Sequence, residues 1–160
     1  MSVADPPGLA YADRDLAAVA AGLLDQGRRI DGLSRLLTAG AFVTLMLLPI
    51  LPKTSWLLPA ILVAVALLGL GEIYLAIRVG FDAALFRRLA SNRDGFDLER
   101  LDRTLARLEL IPEAKAERGI DERIAGARRL FGWQGVVLTA QAVLILAGAG
   151  LFALLGTGGR

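Results

Sequence analysis

Residues 57–77 read LLPAILVAVALLGLGEIYLAI, 21 positions in which only Glu72 and Tyr74 break an apolar run. An α-helix rises about 1.5 Å per residue, so a stretch of this length matches the roughly 30 Å hydrocarbon core of a bilayer. Its twelve Leu, Ile and Val residues favour insertion by about 4–7 kcal/mol together, against about 2.5–3.5 kcal/mol for a carboxyl at the bilayer centre. Glu72 lies off-centre, so insertion wins. The competing reading is a helical hairpin buried in a soluble domain. Unbroken apolar helices of this length are rare in a soluble chain of 160 residues.

Two further runs flank this one. Leu36–Leu51 is 16 residues long and is followed by Pro52-Lys53-Thr54-Ser55, a natural turn. Val136–Leu155 is 20 residues long, with Trp133 at its entrance and Thr139 and Gln141 inside it. The first run is short and must recruit neighbouring residues or thin the bilayer. The pattern predicts an all-α integral membrane protein with three transmembrane helices, a tight hairpin plus one. The expected organisation is a disordered start and amphipathic cytoplasmic helix over 1–35, a hairpin over 36–79 (spans about 36–52 and 56–79), a cytoplasmic helical hairpin over 80–131, a third span over 132–156 and a short tail over 157–160.

Charge placement orients these spans. Four Arg precede the first run and twelve Lys or Arg lie between the second and third, whereas the loop after the first run and the C-terminal tail carry one base each. The positive-inside rule therefore predicts a cytoplasmic N-terminus and central segment and an external C-terminus. A secretory signal is not expected, because the first apolar run begins only at Leu36. Of 18 basic residues only Lys53 and Lys115 are lysine, a codon bias that points to a GC-rich bacterial genome and hence to a cytoplasmic (inner) membrane. The net charge of +2 comes from interleaved acids and bases, so nucleic acid is not an expected partner.

The polar segments read as helices. From Asp13, Leu16, Val19, Ala20, Leu23, Ile30, Leu33 and Leu37 share one side of an amphipathic helix, which predicts either an in-plane membrane helix, a docking arm, or packing on the protein's own bundle. The second span continues through Phe81, Leu85 and Leu89 and stops near Ser91. Asp97–Leu108 carries a leucine stripe and Pro112 ends it. A further helix starts near Ile120, with Ile124, Ala127 and Phe131 on one face, and feeds the third span.

Chemistry is mostly excluded by what is missing. With no Cys and no His, thiolate nucleophiles, Ser-His-Asp triads, Cys/His zinc sites and ordinary haem ligation have no residues to use. Neither a metal nor another cofactor is expected. Ser91–Phe96 has the middle of a calcium loop, but Ala90 and Leu101 stand where its essential carboxylates belong. Gly69-Leu70-Gly71 lacks the rest of a dinucleotide fingerprint and lies within a span.

Glu72 is the exception, since an ionisable group inside a span is costly and by default functional. Gln134 and Gln141, one heptad apart on the third span, bracket its depth, so a hydrogen bond from Glu72 to either is predicted. Small residues at Gly40, Ala60, Ala64, Gly69, Ala76, Gly148, Ala149 and Ala153 would let helices pack closely. The expected partners are the lipid bilayer and either a second copy of the chain or other membrane subunits. The function these features predict is a non-catalytic accessory or scaffold subunit of a membrane complex. The alternatives are an oligomeric proton- or cation-conducting protein using Glu72, and a holin- or toxin-like permeabiliser.

Overall fold

The computed structural model describes residues 11–50, 56–91, 107 and 119–157. Among them all regular structure is helical and no strand occurs. The elements are α1 (Tyr11–Asp25), α2 (Gly27–Leu47) closed by a 3-10 turn (Leu48–Ile50), α3 (Leu57–Ser91) and α4 (Ile120–Thr157). The expected turn at Pro52–Ser55, the disordered start over 1–10 and the helix over Asp97–Leu108 (Arg107 aside) lie outside the described residues.

Local chemistry explains the ends. The residue before a proline disfavours helical geometry, so α2 gives way to the tighter turn around Pro49. Pro59 is harmless near the start of α3, where the backbone N–H has no intrahelical acceptor. Asp121 and Glu122 occupy the first turn of α4, where carboxylates oppose the positive end of the helix dipole.

Among the described residues three helical stretches are long and apolar enough to cross a membrane: Asp13–Ile50, Leu57–Ser91 and Ile120–Ala153. The short first run lies in a longer helix, since α2 is already helical from Gly27, well before Leu36. At 35 residues, α3 extends for about 52 Å, much more than an apolar span needs. As the sequence predicts, α3 runs to Ser91, and α4 begins at Ile120 and continues without a break through the third apolar run.

The chain divides into two compact units, and α3 and α4 contribute a segment to each. One holds residues 1–26 and 79–129; the other holds 27–78 and 130–160. In the first unit the core is Ala17, Ala20, Ala21 and Leu24 of α1 with Val79, Ala83, Phe86 and Leu89 of α3 and Ile120 and Ala127 of α4. The Arg87 guanidinium donates to both carboxylate oxygens of Asp25, at 2.6 and 2.5 Å.

In this unit the predicted apolar side of the first helix is only partly used for packing, since Ala20 is buried and its leucines and valine are not. Leu16, Val19 and Leu23 are exposed, and the alanine-rich face is the one buried. Methyl side chains let helix backbones approach closely, so the alanine face gains the denser packing although its residues are individually less apolar.

The second unit contains α2, the first part of α3 and most of α4. Ala41, Leu62 and Val65 form its apolar centre, with Leu45, Leu48, Leu58, Ile61, Leu144 and Ile145 packed around them. Ser34, Thr38, Glu72, Gln134 and Gln141 are buried in the same unit.

Candidate functional site

The buried polar residues fall on a seven-residue register. Gln134 bonds Glu72, and seven residues further along α4 Gln141 bonds the Val65 carbonyl of α3 and the Thr38 side chain of α2. Another seven residues along, Gly148 lies against Leu58 and Ile61. Numbers therefore rise along α4 as they fall along α3, which makes those two helices antiparallel. Asp31, seven residues before Thr38, acts electrostatically on Glu72, so α2 runs parallel to α4. The unit is thus three layers deep: Asp31/Glu72/Gln134, then Thr38/Val65/Gln141, then Leu45/Leu58/Gly148. A repeat of seven keeps the same helix faces together, as in coiled-coil packing.

The middle layer is saturated. Ser34 Oγ donates to Gln141 Oε1 at 2.6 Å, and Gln141 Nε2 donates to Thr38 Oγ1 and to the Val65 carbonyl, each at 3.1 Å. Thr38 in turn donates to the Ser34 carbonyl at 2.8 Å. Every hydroxyl hydrogen and both amide N–H groups have an acceptor. One glutamine thereby ties all three helices together.

The outer polar layer is different. Gln134 Nε2 donates to Glu72 Oε1 at 2.9 Å, and both residues are fully buried. Glu72 Oε2 and Gln134 Oε1 have no hydrogen-bond partner. Beside them Arg35 donates to Asp31 at 2.7 Å, a turn apart on α2, with the arginine side chain more than half exposed.

Of the two bonds predicted for Glu72, the structure makes the one to Gln134. Gln141 turns instead to α2, and sequence reasoning missed its partners Ser34 and Thr38. The signal was present: two hydroxyl residues at i, i+4 where α2 becomes apolar, with Asp31 one heptad before Thr38.

The small residues separate into two groups. Gly69 and Gly148 are buried, and a Cβ at Gly69 would collide with the Thr38 side chain. Ala64 lines a shallow apolar groove of about 590 Å³ with Gly71, Tyr74 and Val137, and Ala76 is half-buried. Gly40, Ala60, Ala149 and Ala153 are exposed, and a Cβ at Gly40 would meet nothing within 4 Å. Thr44 and Thr139 satisfy their hydroxyls on carbonyls four residues earlier, each at 2.8 Å, as outward-facing hydroxyls in an apolar setting must.

Among the described residues no three acidic side chains gather where they could hold a metal ion. The class this geometry defines is an all-helical protein with three helices long and apolar enough to cross a membrane, braced by buried side-chain amides. Compared with known proteins, the chain matches no family model, no curated protein and no solved structure.

Proposed function

We propose that the chain is a small polytopic protein of a bacterial inner membrane, acting as a non-catalytic accessory or scaffold subunit of a membrane complex. The observation that carries this reading is the division of polar and small groups. The buried polar side chains of α2, α3 and α4 bond to one another, while the exposed positions of the three apolar runs are mostly apolar and include the small residues Gly40, Ala60, Ala149 and Ala153. Small outward residues let the spans of another subunit approach closely in lipid, where packing drives association. Glu72 is fully buried within its own chain, which suits a clamp between helices better than the lining of a path between subunits.

In this reading α2, the first part of α3 and the second part of α4 cross the bilayer, with the N-terminus and residues 80–131 cytoplasmic and the C-terminus outside. The charge distribution of the sequence supports that orientation. Because the chain has no cysteine, single introduced thiols report it directly. Ser55→Cys is expected to react with an impermeant maleimide on intact spheroplasts and Ser91→Cys only after lysis; the reverse pattern overturns the orientation.

The test of function is the composition of the tagged protein after gentle extraction from its native membrane. Stoichiometric recovery with other membrane chains is the expected result. Recovery as a homo-oligomer alone overturns the accessory role.

A further inference from the structure

The outer polar layer contains two acceptor oxygens, Glu72 Oε2 and Gln134 Oε1, each fully buried and each without a donor. They belong to two side chains already joined at 2.9 Å through their other atoms, Gln134 Nε2 and Glu72 Oε1. Turning the amide over would not help, because it would set Gln134 Oε1 against Glu72 Oε1, acceptor against acceptor. A single hydrogen on Glu72 Oε2 would partner both oxygens through one bond. We propose that Glu72 is held as the neutral carboxylic acid, its Oε2–H donating to Gln134 Oε1, so that acid and amide close a two-bond ring and the site binds one proton.

The surroundings agree. The charged groups facing Glu72 are Asp31 and Arg35 on α2, and α4 presents only the neutral Gln134. Arg35 is already paired with Asp31, so the two contribute little net charge to balance a carboxylate. The Asp31 carboxyl is itself a hydrogen-bond neighbour of Glu72 and is the competing acceptor for the acid hydrogen, an arrangement in which Gln134→Leu would remove no bond from that hydrogen. A buried carboxylate with one neutral hydrogen bond is poorly solvated, whereas the neutral acid with two bonds is satisfied. Asp31 is partly exposed and interacts with Glu72, which offers a route for proton exchange with solvent.

On the other side the route stops. The next layer, Ser34, Thr38 and Gln141, has no titratable group, and Leu45, Leu58, Ile61 and Leu62 follow. The site therefore keeps a proton and does not pass it across. This inference rests on the membrane placement in the proposed function and not on the identity of any partner.

Infrared spectroscopy of the full-length protein in liposomes at neutral pH tests it. The expected spectrum has a protonated-carboxyl carbonyl band that shifts in D2O, disappears in Glu72→Gln and moves to higher frequency in Gln134→Leu, where the acid carbonyl loses its donor. Glu72→Gln keeps both ring bonds as an amide pair, and a wild-type circular dichroism spectrum checks that it folds. Absence of the band in the wild type, or its persistence in Glu72→Gln, overturns the neutral acid; an unmoved band in Gln134→Leu overturns the ring. The same liposomes under a pH gradient are expected to leak no faster than protein-free ones. Leakage abolished by Glu72→Gln overturns the dead end. Neither result depends on whether other chains co-purify, so failure here is distinct from failure of the accessory role.

Discussion

The two polar layers of the long-helix unit use the same side-chain amide for different ends. Gln141 meets hydroxyls and a backbone carbonyl, and every donor and acceptor in its layer is matched within one chain. Gln134 meets a carboxyl, and that pair has two oxygens left over. The difference follows from the donors available. Ser34 and Thr38 bring their own hydrogens, whereas a carboxylate brings none. The first layer is complete as built. The second needs one proton from outside.

Four single substitutions and one double-mutant cycle sharpen or break that contrast. Gln141→Leu removes three inter-helix bonds and is expected to destabilise the fold by about 2–4 kcal/mol, the largest effect among them. Unfolding in detergent micelles measures it, and a cost no greater than that of Gln134→Leu would erase the distinction between the layers. Gly69→Ala, between the layers, drives a methyl into Thr38 and should cost about 1–3 kcal/mol by forcing α2 from α3. Gly40→Ala, whose methyl meets nothing within 4 Å, is the matched control and should leave the melting temperature unchanged. Gln134→Leu strands the Glu72 carboxyl and is expected to cost about 1–2 kcal/mol, read from the same unfolding curves. Apart from the control, the smallest effect belongs to the other compact unit: a double-mutant cycle with Asp25→Asn and Arg87→Ala should return under about 1 kcal/mol, because the pair is partly exposed.

Much of the site was legible in the sequence because a polar residue in an apolar run is conspicuous. Glu72, Gln134 and Gln141 stood out on that ground, and the heptad between the two glutamines placed them on one helix face. Ser34 and Thr38 did not stand out, since hydroxyl residues in membrane helices commonly bond their own backbone, as Thr44 and Thr139 do here. Which face of α1 packs was not legible for a related reason. Hydrophobicity ranks Leu16, Val19 and Leu23 above Ala17, Ala20 and Ala21, but close packing favours the smaller side chains.

The sequence by itself determined that the chain is helical and that three of its stretches are long and apolar enough to cross a membrane, because length and apolar character are local properties. It also limited the chemistry, since a chain without histidine or cysteine cannot use either. Only the tertiary structure decided which partners the buried amides take. Hydrogen bonds between helices depend on register, and the seven-residue register that sets Gln134 on Glu72 and Gln141 on Ser34 and Thr38 exists only once α2, α3 and α4 are packed together.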